Sequence, residues 1–231
     1  MSAIRSLMNF CKRQGIRSME VSHVELARNA KKNIRILTPN EVRRIIESVR
    51  GTSIVAVRDR AILELLAYSG IRVSELTQLN LDDLNFDTYE FRVRGKGGKY
   101  RTCFFTPSAA HQIKHWLNVR TDCFPALFIS LSYCFRDGVN ANDRGRLSNT
   151  SVEKIVRHYT ERAGINKHVT PHIFRHTWST LLLQNGCDIR SLQEMLGHSS
   201  LNTTQVYLHV SPQHLKKSYN QYVPTFQNPQ Q

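Results

Sequence analysis

The chain has 231 residues, 40% hydrophobic and 22% charged, so it can bury a core and is not disordered by composition. Lys and Arg outnumber Asp and Glu by 32 to 18, a formal net charge of +14, which points to a polyanionic partner. No apolar stretch approaches the roughly 20 residues that span a bilayer, the N-terminus lacks a secretory signal, and five cysteines form an odd set with no C-x-x-C pair. These features imply reduced thiols in a cytoplasmic protein.

Residues 1 to 50 hold 11 Lys/Arg against 4 Asp/Glu, which places half of the excess charge there. Residues 3 to 14 predict a helix with Ile4, Leu7, Met8 and Phe10 on its apolar side. The run Arg28, Lys31, Lys32, Arg35 carries no interleaved acid, and reads either as a solvated helix face or as a basic linker that tracks phosphates. Thr38-Pro39, Thr106-Pro107, Thr170-Pro171 and Ser211-Pro212 each pair an N-cap with proline at the first helical position, where a missing N–H costs nothing. They predict helices from Pro39 to about Arg50, Pro107 to Val119, Pro171 to Asn185 and Pro212 to Tyr222. Periodicity adds helices at Val57 to Tyr68, Arg72 to Leu79, Ser148 to Ala163, Asp188 to Leu196 and Leu201 to His209. Between Tyr89 and Phe105 the period becomes two, with Gly95 to Gly98 as the turn, which predicts a hairpin with Lys96 and Lys99 at its tip. Residues 131 to 147 read as a loop. The fold class is therefore mainly α with a small antiparallel β-sheet, an α+β arrangement.

Within the helix opened by Pro171, Phe174, Trp178, Leu181 and Leu182 form a core stripe, leaving His172, Arg175, His176 and Ser179 on the polar side. An imidazole and a guanidinium at a helix start suit a phosphate-sized anion, because the free N–H groups and the dipole add positive potential. The i, i+4 pair His172 and His176 also has zinc spacing, but H-I-F-R-H lacks the zincin glutamate and a nearby carboxylate as third ligand. Taken alone, H-x-x-R is a weak pattern.

Its own segment TPHIFRHTWSTLLLQNG (170 to 186) gains strength from three others, SGIRVSELTQL (69 to 79), RGKGGKYR (94 to 101) and LGHSSLNTTQVYLHV (196 to 210). With these segments in their order, the chain resembles the catalytic domain of the tyrosine recombinases, the phage-integrase and Xer group, over about residues 36 to 222. The resemblance implies that fold, and site-specific cleavage and rejoining of double-stranded DNA through a 3′-phosphotyrosine. It makes Arg72 and Arg175 the phosphate-binding arginines, Lys96 the hairpin lysine, His172 and His198 the two histidines, Tyr207 the nucleophile, and Glu75 an acidic support behind the site. Lys99 rivals Lys96 at the same tip, and Tyr219 and Tyr222 are other tyrosines in the last helix. Arg94 and Arg101 are read as DNA-backbone or solvent residues, and Cys103, Cys123 and Trp178 as core. No cofactor and no metal is called for. The resemblance implies partners as well, a homo-oligomer such as a tetramer on DNA or a related recombinase.

It also divides the chain: residues 1 to 35 as the last helix of an otherwise absent N-terminal core-binding domain plus basic linker, 36 to 222 as catalytic domain, and 223 to 231 as flexible tail. Two other functions fit parts of this pattern, a non-catalytic DNA-binding remnant of a recombinase and a type IB topoisomerase.

Chemistry supports the assignments. A tyrosine with a pKa near 10 is ionised in only about one molecule in 10³ at pH 7, so attack on a phosphodiester needs a base or strong positive charge. Two guanidinium forks match the planar charge of a pentacoordinate phosphorane better than two ammonium groups do.

Overall fold

The computed structural model describes residues 2–16, 19, 36–95, 98, 100–131, 145–197 and 212–226. The chain divides into two compact units, Met1–Ile34 and Arg35–Gln231. In the first unit, helix α1 (Ser2–Arg13) places Lys12 and Arg13 in its last turn, where cations complement the helix dipole, and leaves Ile4, Leu7 and Phe10 exposed.

The second unit is built around one buried helix. In chain order its elements are α2 (Pro39–Glu47), α3 (Ile54–Ser69), α4 (Val73–Gln78), a 3-10 turn (Leu81–Asp83) and strands β1 (Leu84–Asn85), β2 (Glu90–Arg94) and β3 (Tyr100–Phe104). Then follow α5 (Pro107–Val119), α6 (Asn149–Arg162), α7 (Pro171–Gln184), α8 (Ile189–Leu196) and α9 (Pro212–Tyr222). Helix α3 is buried on nearly every side, Arg58, Asp59 and Glu64 included, and such a helix must be enclosed; α5, α7, α6 and α2 all pack against it. It starts three residues earlier than its periodicity suggests, because Ser53 caps it by accepting the Ala56 N–H. Gly70 ends it in the left-handed conformation at φ 60°. The threonine–proline starts behave as predicted: Thr38, Thr106 and Thr170 each accept an N–H of the first turn of α2, α5 and α7.

The sheet is antiparallel, in the order β1-β2-β3. Phe91 pairs with Cys103 and Val93 with Arg101, so these four residues share one face. The two-residue β1 and the 3-10 turn before it had no periodic signal. The predicted helix over 201 to 209 lies outside the described residues, as do residues 132 to 144 of the predicted loop.

Two apolar clusters fill the unit. The larger surrounds α3, and the smaller joins Phe104 of β3 to Trp178 and Leu182 of α7, Leu192, Met195 and Leu196 of α8, and Leu215 and Tyr219 of α9. Helix α9 packs on its own chain, where Tyr219 is buried and its hydroxyl donates to the Tyr68 carbonyl at 2.8 Å. The polar tail begins later than expected. Phe226 is only 4% exposed and its ring centroid lies 4.9 Å from that of Tyr68, because an aromatic side chain recovers more by burial on α3 than by staying in water. Cys123, expected in the core, is exposed on the α5–α6 connection.

Buried charge in α3 gives a testable consequence. Glu64 is 6% exposed; burial pushes its carboxyl up to about 6, against the opposing pull of Arg60 and a 3.4 Å bond from the Ser108 hydroxyl. A carboxyl raised in the folded state adds stability below its unfolded pKa and loses it as pH rises through the folded value. Glu64→Gln is therefore expected to stabilise the protein by about 1–2 kcal/mol at pH 8, and by almost nothing at pH 4. Urea unfolding at the two pH values measures the difference, and equal gains at both would refute the assignment.

Candidate functional site

The turn after α3 carries the first candidate. Gly70 ends the helix, and Arg72 takes the N-cap position of α4 in extended conformation. Glu75, one turn into α4, accepts the Arg72 backbone N–H on Oε2 at 2.9 Å and the Arg72 Nη1 on Oε1 at 2.8 Å. A single carboxylate thus fixes both the backbone and the guanidinium of Arg72. The Arg72 side chain stays 37% exposed, while that of Glu75 is 4% exposed. Arg146, donating to the carbonyls of Thr77 and Leu79 and to Asn80 Oδ1, holds the far end of α4.

Arg175 reaches the same turn from α7. Its Nη1 donates to the Gly70 carbonyl at 2.5 Å and its Nη2 to the Leu196 carbonyl at 2.7 Å, at the C-terminal end of α8. Placed on the polar side of its helix by sequence, Arg175 is instead buried, 7% exposed, because it spans the gap between two helix ends whose carbonyls need donors. Its pKa is brought down to about 10, first by burial and then by the neighbouring charges of Arg72 and Arg101. It remains cationic at neutral pH, in surroundings that an anion would relieve.

Arg101 closes the circuit, a part its sequence reading had missed. It is no surface residue: its side chain is 12% exposed, its Nη2 donates to Glu75 Oε2 at 2.7 Å, and its Nη1 donates to the Met195 carbonyl at 2.6 Å. A signal was present in the alternation, since Arg101 and Cys103 share the apolar face of the hairpin with Phe91 and Val93. An arginine on a core face requires a buried acceptor, and Glu75 is one. Burial raises the Glu75 carboxyl, but the Arg101 charge, the Arg72 N–H and the Arg72 guanidinium outweigh it and hold it below the usual carboxylate range.

The result is a closed ring of hydrogen bonds. It runs from α7 through the Gly70–Glu75 turn to β3, on to the end of α8, and back to Arg175. Three guanidinium groups stand against one carboxylate. His172 lies one turn before Arg175 in α7 and is exposed. Lys96, His198 and Tyr207 lie outside the described residues, so of the six predicted residues the structure brings together Arg72 and Arg175 and sets His172 on the same helix as the latter. Of the alternatives, Tyr219 is fully buried, and burial drives its phenol pKa well above 10. Among the described residues no cluster of three metal-ligating side chains occurs, and no helix is long and apolar enough to cross a membrane.

Comparison with known proteins decides the family. Residues 35–214 match the model of the phage integrase family. The chain belongs to that family, the tyrosine recombinases. It is 38% identical over 225 residues to the tyrosine recombinase XerD of Oceanobacillus iheyensis, covering 96% of this chain and 74% of that protein. It is 42% identical over 173 residues to the tyrosine recombinase XerC of Mannheimia succiniciproducens, where the match spans 74% of this chain but 55% of the relative. The crystal structure of the XerA recombinase superposes with a TM-score of 0.62 at 30% identity, covering 96% of this chain and 75% of that one.

Proposed function

We propose that this recombinase cleaves and rejoins DNA strands site-specifically, with Tyr207 as nucleophile and with Arg72, Arg175, His172, His198 and Lys96 around the scissile phosphate. The observation that carries the reading is the cluster of three arginines around one carboxylate, two of them, Arg72 and Arg101, bonded to Glu75 and the third, Arg175, held on the Gly70 and Leu196 carbonyls, which leaves net positive charge around a partly exposed Arg72. A phosphodiester carries the complementary charge, and its transition state carries more. In the first step the Tyr207 phenol oxygen attacks phosphorus and gives up its proton to a base, for which His172 and His198 are the candidates. The bond from phosphorus to the 5′ oxygen breaks, and that oxygen takes a proton from Lys96. The 3′-phosphotyrosyl bond conserves the energy of the diester, so attack by a 5′-hydroxyl reverses the sequence and rejoins a strand.

The finer reading adds a homo-oligomer on DNA, a tetramer, or a pairing with a related recombinase. Within the chain, residues 36 to 222 act as catalytic domain and the basic stretch before them as a linker along the phosphates, in line with the charge of residues 1 to 50.

Incubation with a pool of nicked duplexes carrying randomised flanks, in which the short 5′-hydroxyl fragment diffuses away after cleavage, tests the reading. The expected result is a denaturant-resistant protein–DNA adduct whose nucleotide maps by peptide mass spectrometry to Tyr207. No adduct, or one on another residue, would overturn it.

A further inference from the structure

We infer that Arg101 is a positioning residue for DNA cleavage: it balances the charge of Glu75 so that Arg72 stays available to a phosphate, and it ties the hairpin to the end of α8. The inference rests on the recombinase reading above and goes beyond it by assigning a task to a side chain outside the six proposed to touch the phosphate.

The geometry carries the argument. Glu75 offers two oxygens. One takes Arg72 Nη1, and the other is shared between the Arg72 N–H and Arg101 Nη2. With Arg101 removed, a carboxylate with a 4% exposed side chain would face Arg72 as its sole bonded guanidinium, and the pair would close into a self-satisfied ion pair. With Arg101 present, the carboxylate is already compensated from β3, and the Arg72 charge remains directed at a ligand.

The second guanidinium nitrogen of Arg101 sits on the Met195 carbonyl, next to the Leu196 carbonyl that Arg175 uses. Two arginines from different elements therefore hold adjacent carbonyls at the end of α8. Gly197 follows at once, with φ 62°, and a Cβ there would lie 2.6 Å from Arg101 Cδ. Only a residue without a side chain leaves room for the Arg101 stem, so the approach is built into both partners. One side chain thus links the strand that leads back to Lys96, the carboxylate that holds Arg72, and the turn that leads to His198.

Among the described residues, the charged and titratable groups facing Glu75 are Arg72 from the start of α4, Arg101 and Cys103 from β3, and Arg175 from α7. Arg101 contributes the strongest charge that offsets burial there. Its loss lets burial raise the Glu75 carboxyl, and a protonated Glu75 no longer anchors Arg72 at the acid end of the working range.

The experiment compares single-turnover adduct formation by wild type, Arg101→Met, Arg101→Lys and the Glu75→Gln/Arg101→Met double variant, using duplexes selected by the wild type, across pH and alongside DNA affinity and thermal melting. Misplacing a reacting group by about 1 Å costs on the order of 10²-fold in rate. Arg101→Met is expected to slow cleavage by up to about that factor with a much smaller change in DNA affinity, and to shift the acid limb of cleavage to higher pH. Arg101→Lys, whose single ammonium reaches Glu75 or the Met195 carbonyl but not both, should restore the wild-type acid limb and part of the rate. The double variant should be slow with no acid limb from this carboxyl.

Arg101→Gln, which keeps a donor and drops the charge, carries the same comparison if Arg101→Met is too unstable to purify. Unchanged cleavage in Arg101→Met overturns the inference while leaving the recombinase reading intact. So does a loss of rate and affinity in proportion to melting with the acid limb unmoved. An absence of adduct in the wild type overturns both.

Discussion

Arg175→Lys is expected to cut single-turnover cleavage by roughly 10²- to 10³-fold, the usual cost of one preorganised donor to a transition-state oxyanion, although the positive charge is kept. The reason lies in the two carbonyls. Arg175 sends one nitrogen to Gly70 and the other to Leu196, which belong to different helix ends. A guanidinium spans them because its donors are fixed in a plane, whereas an ammonium is a single point on a flexible stem. Lysine can satisfy one carbonyl and leaves the other buried without its donor, at about 1–3 kcal/mol in stability. The substituted ammonium is also drawn out of the position from which it would meet a phosphate. Denaturant midpoint and cleavage rate measured on one preparation check both halves. A lysine variant that cleaves at the wild-type rate would remove Arg175 from the site.

Much of this architecture could be read from side-chain pattern, and the failures have physical causes. Threonine or serine before proline marks a helix start through local chemistry alone, so the beginnings of α2, α5 and α7 were legible. The beginning of α3 was not, because Ile54 and Val55 are exposed apolar residues outside the buried stripe and only Ser53 marks the boundary. Strand β1 is two residues long, and no alternation can be recognised over that length.

At the site, Arg72 and Arg175 were recognised as a pair through the family resemblance, while their tertiary setting was hidden. Burial of Arg175 depends on the carbonyl of Leu196, 21 residues away, and Arg101 on that of Met195, 94 residues away. Arginine is the residue most easily mistaken in such a reading, because the same side chain serves a solvated surface, a phosphate or two buried carbonyls. Its partners, not its own pattern, decide among them.

Gly70→Ala should be the most destabilising of the single substitutions considered, at roughly 2–5 kcal/mol, from the sum of two independent penalties. The backbone there is left-handed at φ 60°, which costs any residue with a Cβ about 1–2 kcal/mol. A Cβ built on Gly70 would also lie 2.3 Å from Trp178 Cε3, inside the van der Waals contact of a ring that is itself 1% exposed and walled in by the smaller apolar cluster. Relief by movement would displace either the indole or the Gly70 carbonyl, and the latter holds Arg175, so cleavage should fall together with stability.

The overlapping atoms, Cε3, Cζ3 and Cδ2, belong to the six-membered ring of the indole. Trp178→Phe removes Cε3 and Cζ3, the two closest of these atoms, and leaves a ring carbon only near the Cδ2 position, which relieves most of the overlap. The two substitutions should therefore be non-additive, with Gly70→Ala/Trp178→Phe more stable than the summed single effects by about 1–3 kcal/mol, the overlap share of the cost. The share due to the left-handed backbone would persist. Additive effects in urea unfolding would show that the close approach of Gly70 to Trp178 contributes nothing, and that the glycine serves the helix end alone.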